Sequence, residues 1–471
     1  MSFDTLAERL AAYTVQFTPA LLTPDDLAEA KRRVVDSLGC ALGALASPPG
    51  KIARALAQEV APASPGAPKA TLWFTPGLQT TPDLAAFANG VVTRYLDFND
   101  TYLSLEPAHP SDNIPALMAV AESVGASGQQ FLASIVLAYE LQCRFCDAAS
   151  LRERGWDHVN YASIATTLAA GWLMGLSQVQ LVHALGLAIN PHNAFRQTRV
   201  GALSYWKGCA YANSARNAVF AARLAQLGMT GPAPIFEGEM GLFKQVFGKP
   251  FALPLLAGEK NAQTQPFMIR KTYIKHFPAE YHSQSAIEAA LEIRDQLGPE
   301  QLERLADDAT ELLIESFDVG IEIIASKPVH WAPDERETAD HSLPYCTAVA
   351  LLEGTITPES FDDAHLQNPA IRDFLKRVKV VRSDEMNAGY PDGIPNRVSL
   401  KLMNGKTYTS QISYALGHPK NPMSDADVTR KFAILAEDTL NAAQQETLLN
   451  AVWALDAATN LDAMLNALKL G

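Results

Sequence analysis

Positive charge is in short supply. The chain of 471 residues sets 38 Lys and Arg against 51 Asp and Glu, for a formal net charge of −13. A nucleic-acid binder needs a basic footprint to displace counterions, so that class is set aside. An anionic small molecule remains compatible, because donors at contact distance outweigh a diffuse global field. Cysteine is sparse as well: five in a chain this long do not make a disulfide framework. Cys143 and Cys146 form a C-x-x-C, but no second Cys/His pair stands nearby at ligand spacing. They fall at the end of the helical pattern Ile135 to Gln142, which makes two core-facing cysteines the better reading than a zinc or redox site. No stretch approaches the ~18 uninterrupted apolar residues of a membrane helix. Met1 to Arg9 carries acids early and has no apolar run behind a basic start, unlike a secretory signal. There is no H-x-x-x-H and no glycine-rich phosphate cradle, so no metal, nucleotide or other cofactor is indicated. No repeat of fixed period is evident. The expectation is a cytoplasmic protein with no nucleic-acid or membrane partner.

What the chain does have is apolar bulk. Hydrophobic residues make up 48% and charged residues 19%, enough for a large buried core and two or three domains. Thr23-Pro24-Asp25-Asp26 reads as an N-cap, a Pro in the first turn and two acids on the helix dipole. Val34, Val35, Leu38, Leu42 and Leu45 follow at helical spacing. Ala61 to Pro82 is rich in Pro and Gly and reads as a loop or short hairpin. Helical patterns then run over Pro82 to Leu96, Ile114 to Val124, Gly128 to Cys146, Ala162 to Leu176, Gln178 to Ile189 and Gly201 to Leu227. Small residues such as Ala85, Ala86, Ala88 and Gly90 suit close helix contacts.

After about residue 265 the pattern changes. Ala309 to Ser316 alternates enough for a strand, and Val378 to Val381 is short and β-branched. Arg397 to Leu402 and Thr407 to Tyr414 flank Asn404-Gly405, the strongest short-range hairpin signal. Ser283 to Asp295 and Ser342 to Leu352 read as helices between them. Residues 266–415 are therefore an expected α+β domain. Residues 1–265 form an expected all-helical domain, with the helical tail 416–471 free to complete it.

Ionisable chemistry concentrates in Leu96-Asp97-Phe98-Asn99-Asp100-Thr101 and Ala108-His109-Pro110-Ser111-Asp112-Asn113. These two hexads hold three carboxylates, two amides, two hydroxyls and an imidazole. Capping explains some of them. It does not explain Asp97, Thr101 and His109 together, where a carboxylate and a hydroxyl can orient a base. His158 follows Asp157 before an alanine-rich helix, as a cap, a buried hydrogen-bonded group or a second base. Lys207 lies near a helix start, where a cation opposes the dipole and invites an anion, or else is simply solvated. Phe277-Pro278-Ala279 breaks the chain and places Lys275, Glu280 and His282 near another helix start. Cations and neutral bases in an acidic protein suit a polycarboxylate: removing a C–H proton beside a carboxylate needs that charge masked by fixed donors. A β-elimination of water meets these demands without a metal.

At these residues the chain resembles the 2-methylcitrate dehydratase (MmgE/PrpD) family. The resemblance runs over essentially the full length and also takes in Trp206-Lys207-Gly208, Phe277 to Gln284, and Asn396-Arg397-Val398 through Gly417-His418-Pro419. It implies a large all-helical domain with an inserted α+β lid domain, a homodimer, and catalysis independent of an iron–sulfur cluster. Position by position, Asp97, Thr101, His109, His158, Lys207 and Lys275 match the family's site. The expected roles are His109 and His158 as acid and base, Asp97 and Thr101 as their orienters, and Lys207 and Lys275, with Glu280 and His282, as substrate contacts. The implied activity is dehydration of 2-methylcitrate to 2-methyl-cis-aconitate, with citrate as a possible second substrate. Two alternatives stay open. One is decarboxylation of cis-aconitate or epimerisation of a related di- or tricarboxylate; relatives of the decarboxylase type carry His where this chain has Glu280. The other is a non-catalytic, metabolite-binding helical dimer. The segment Asp384 to Ile394 is shorter than in the longer dehydratases and bears on substrate choice.

Overall fold

A computed structural model describes residues 5–62, 64, 66–200 and 203–469. Helix accounts for 57% of the structure and strand for 8%, so the mainly-α reading holds. The chain divides into two compact units, Met1–Thr272 with Ser424–Gly471, and Tyr273–Met423.

The first unit is helical. Six helices matter most for the site: α1 (Pro24–Gly43), α2 (Pro82–Tyr95), α3 (Ile114–Val124), α4 (Gly128–Ala148), α5 (Val159–Leu173) and α6 (Trp206–Gln226). Local signals set their ends. Thr23 accepts from the amide of Asp26 and the Asp26 carboxylate returns to Thr23, closing a capping box ahead of Pro24 at the first helical position. Ser127 and Gln130 do the same for α4. Small residues let α2 and α6 approach closely. A Cβ on Gly90 would sit 2.9 Å from the Ala212 Cβ, so this contact has no room for a side chain at position 90. Cys143 and Cys146 are wholly buried in α4, and burial pushes both thiols well up, which leaves them inert core residues. The Pro/Gly-rich span contains a two-stranded antiparallel pairing of Ala70–Thr71 with Gln79–Thr80; positions 63 and 65 of that span lie outside the described residues. The expected start of α6 at Gly201 also lies outside them, and the helix begins at Trp206, which puts Lys207 in its first turn. In the tail, α7 (Asp425–Ala436) sets Lys431 against this core. No described helix is long and apolar enough to cross a membrane.

The second unit is built on a four-stranded mixed sheet of β1 (Ala309–Ser316), β2 (Val378–Arg382), β3 (Asn396–Leu402) and β4 (Thr407–Ile412), in spatial order β2-β1-β3-β4. β1 pairs parallel with β2 and antiparallel with β3, so that Ile314 opposes both Val380 and Val398. The β3–β4 hairpin turns at Asn404-Gly405, with Gly405 at φ 81°. Leu312, Ile314, Val398 and Leu400 are fully buried in one core with helices Gln284–Asp295 and Leu343–Glu353. Alternation along β1 thus has the usual cause, one face packed against helices.

Candidate active site

In the first unit, α2 ends at Tyr95 and the chain enters a left-handed turn at Asp97, φ 51°. A non-glycine residue pays strain there, and surrounding contacts must hold it. They do: Arg94, one helical turn earlier, pairs with Asp97, and Lys207 at the start of α6 lies 3.4 Å from its other oxygen. The Phe98 carbonyl accepts from the Lys431 ammonium at 2.7 Å, while Lys431 also pairs with Asp36 of α1 at 2.6 Å. Tail and first helix together therefore brace the turn.

The next segment folds back on itself. Tyr102 and Ala108 exchange backbone hydrogen bonds at 2.8 and 2.9 Å, and this closure brings Thr101 beside His109. The His109 Nδ1 lies 2.7 Å from the Asp100 carbonyl and 3.2 Å from the Thr101 hydroxyl. A carbonyl only accepts, so Nδ1 carries the hydrogen and the lone pair of the neutral ring is on Nε2. The Asp100 carboxylate accepts from the Ser111 amide at 3.0 Å and the Tyr139 hydroxyl at 2.6 Å, a structural duty that leaves its carbonyl aimed at His109. Asp112, buried and held by Asn99 at 2.7 Å, is raised to about 7 by burial, against the pull of Arg94.

His158 stands just before α5 and makes no side-chain capping bond. Its ring is edge-on to His109, with centroids 5.7 Å apart. It is 3% exposed; its Nδ1 lies 3.1 Å from an Asp157 oxygen without hydrogen-bond geometry, and its Nε2 has no hydrogen-bond partner among the described residues. Burial and the Arg199 cation bring it down to about 3, with Asp157 opposing and Arg94 and Arg196 adding. It is a neutral imidazole at physiological pH. Asp97, Thr101, His109, His158 and Lys207 thus belong to one neighbourhood of the first unit. Sequence reasoning missed Arg94 and Arg199 there, and read Asp112 as a turn or capping residue. Arg94 was detectable as a cation one turn ahead of Asp97; Arg199, far along the chain, carried no local signal.

Lys275, Glu280 and His282 gather in the second unit. Gln284 ties the Phe277-Pro278-Ala279 turn by bonding the Phe277 amide and carbonyl, both at 2.9 Å, and the Ala279 carbonyl at 3.0 Å. Glu280 caps the short turn that follows, taking the His282 amide and the His282 Nδ1, each at 2.8 Å. Burial alone would raise the Glu280 carboxyl; His282, His341 and Lys275 outweigh it and hold it at about 2. The permanent carboxylate fixes the hydrogen on the His282 Nδ1. Its Nε2 is buried with no partner among the described residues. Lys275 is 2% exposed.

These features define a helical protein whose first unit sets two imidazoles among paired carboxylates and fixed cations. The chain belongs to the MmgE/PrpD family: residues 8–253 match the MmgE/PrpD N-terminal domain and residues 277–457 the C-terminal domain. It is 28% identical over 460 residues to 2-methylcitrate dehydratase of Cupriavidus necator, spanning 92% of this chain and 90% of that protein. It is 28% identical to 2-methylcitrate dehydratase of Escherichia coli K12, over 88% of this chain and 87% of that one. Cis-aconitate decarboxylase of Mus musculus is also similar, at 27% identity over 85% of this chain and 81% of that protein.

Proposed function

We propose that this protein is a hydro-lyase that dehydrates 2-methylcitrate to 2-methyl-cis-aconitate, acts on citrate as well, and needs no metal. One observation carries the reading: the tautomer of His109 is set by the Asp100 carbonyl, which makes Nε2 the basic nitrogen. In this mechanism His109 Nε2 takes the proton from the carbon beside a carboxylate. Lys207 holds a substrate carboxylate and lowers the cost of the negative charge that builds there. The imidazolium so formed returns its proton to the leaving hydroxyl. The C–H and C–O bonds break, the double bond forms, and water departs with all atoms accounted for. The named dehydratase relatives support the class of reaction.

The test is ultraviolet absorbance at the unsaturated-acid band, with chelator-treated protein and 2-methylcitrate or citrate supplied separately. A rise with 2-methylcitrate is expected, faster than with citrate. A flat trace with both, from folded protein, sinks the dehydratase reading. The similarity to a cis-aconitate decarboxylase supports a second reading, decided by carbon dioxide release from cis-aconitate.

A further inference from the structure

The segment from Ala194 to Arg199 is fastened beside Asp157 and His158 by a set of bonds that no catalytic role requires. The Asp157 amide donates to the Ala194 carbonyl at 3.0 Å, and the Arg196 amide to the Gly155 carbonyl at 2.9 Å. Asn160 grips the Ala194 peptide from both sides, accepting from its amide at 2.8 Å and donating to its carbonyl at 3.0 Å. Phe195 stacks on Trp156 with ring centroids 5.1 Å apart. So fastened, the strap ends in a short turn, Arg196–Arg199. There the Arg199 Nε lies 2.9 Å from one oxygen of the fully buried Asp157, whose other oxygen is 3.1 Å from the His158 Nδ1.

We propose that Arg199 is a positioning residue: clamped on Asp157 by this strap, it keeps the His158 ring uncharged and so divides the work of the histidine pair. Asp157 alone beside an imidazole would favour the imidazolium. A guanidinium on the far oxygen spends that carboxylate's charge on itself and adds its own positive field. Burial is the largest influence against a charged ring and Arg199 the next, and the remaining groups facing His158 agree in sign or are neutral: Arg94 from α2 and Arg196 from the strap disfavour a second cation, and the His109 ring meets it edge-on. A base whose proton affinity is this low is poorly matched to proton abstraction near neutral pH. A buried neutral imidazole with an unpartnered Nε2 is instead suited to share a hydrogen bond with a substrate oxygen, leaving proton transfer to His109.

The inference rests on the proposed acid–base role of the pair, but its test needs no substrate. Protein carrying 13C at the histidine Cε1 is titrated by NMR, and the His158 resonance is identified by its loss in His158→Gln. In the wild type that resonance should stay flat between about pH 5 and pH 8. In Arg199→Gln, or Arg199→Met should the first not fold, it should titrate within that window, a gain of at least about a hundredfold in proton affinity. Arg199→Lys keeps the charge and should stay flat. A flat His158 in folded Arg199→Gln overturns the proposal, as does equal titration in the Gln and Lys variants. A shifted His158 alongside a flat dehydration trace would reject the dehydratase reading and leave the role of Arg199 standing.

Discussion

An imidazole works as a base only through the nitrogen that holds its lone pair, and in His109 the Asp100 carbonyl settles which one that is. His109→Ala removes the proposed base while leaving the Tyr102–Ala108 closure, which is made by backbone, in place. Turnover of 2-methylcitrate should fall by about 10²- to 10⁴-fold, with the circular dichroism melt close to that of the wild type. Near-wild-type turnover would remove His109 from the mechanism. His158 makes a different prediction, about stability. Burial and Arg199 hold it near 3, against an ordinary 6.5, so the folded protein binds fewer protons than the unfolded chain between those values. Stability therefore falls as pH drops from about 6.5 toward 3. Glu280 acts in the same direction lower down. Burial is overcome there by His282, His341 and Lys275, which hold it at about 2; the stability it contributes is present above its ordinary 4.5 and is lost as pH falls through 2. In His158→Gln the melting temperature should depend less on pH between about 6.5 and 4, while the lower decline persists. An unchanged slope would show that His158 is not buried in its neutral form.

Elements matter here because two helices deliver the charges that meet at the turn. α2 ends at Tyr95, one position after Arg94 and two ahead of Asp97, and α6 begins beside Lys207. Their spacing is set where Gly90 faces Ala212, with no room for a Cβ. Gly90→Val should force the helices apart. Overpacking is expected to destabilise by about 1–3 kcal/mol in urea unfolding, and the shift should stretch the Asp97–Lys207 pair and lower turnover. Ala212→Gly in the same chain should recover part of both losses. If it recovers neither, the contact does not set the spacing. The same elements show what the sequence could and could not reveal. Helix α3 was readable to its end residues because its apolar period and its bounding Pro and Gly agree. The β3–β4 hairpin was readable because only a residue such as Gly405 accepts the turn's positive φ cheaply. Asp97, Thr101 and His109 stood out because so many ionisable types crowd one short connection. The strap was illegible. Arg199 reaches Asp157 only through tertiary hydrogen bonds at Ala194 and Arg196, and neither leaves a periodic trace. The parallel pairing of β2 with β1 was equally hidden, since a short β-branched run states that it is a strand but not which neighbour it joins.

At the scale of the whole molecule, the proposed substrate is an acid and the protein is acidic as well. The site's cations give little long-range help, because each is already matched: Arg94 with Asp97 and Asp112, Lys207 with Asp97, and Arg199 with Asp157. Paired charges form dipoles whose fields die away within a few ångströms, whereas the net charge of −13 is felt at a distance. A tricarboxylate should therefore be repelled on approach and held only at contact. Salt separates the two regimes. Raising ionic strength from about 0.01 M to 0.15 M shortens the screening length from about 30 Å to 8 Å, which removes the distant repulsion and barely touches contacts inside a buried site. The kcat/KM for 2-methylcitrate should accordingly rise, by about twofold or more, with kcat unchanged. This is the reverse of the salt response of an enzyme that steers its substrate by an open field of opposite charge. A fall in kcat/KM over the same range would show that the matched cations do project a positive field toward solvent, and that the Asp97, Asp112 and Asp157 carboxylates neutralise them less completely than their distances imply.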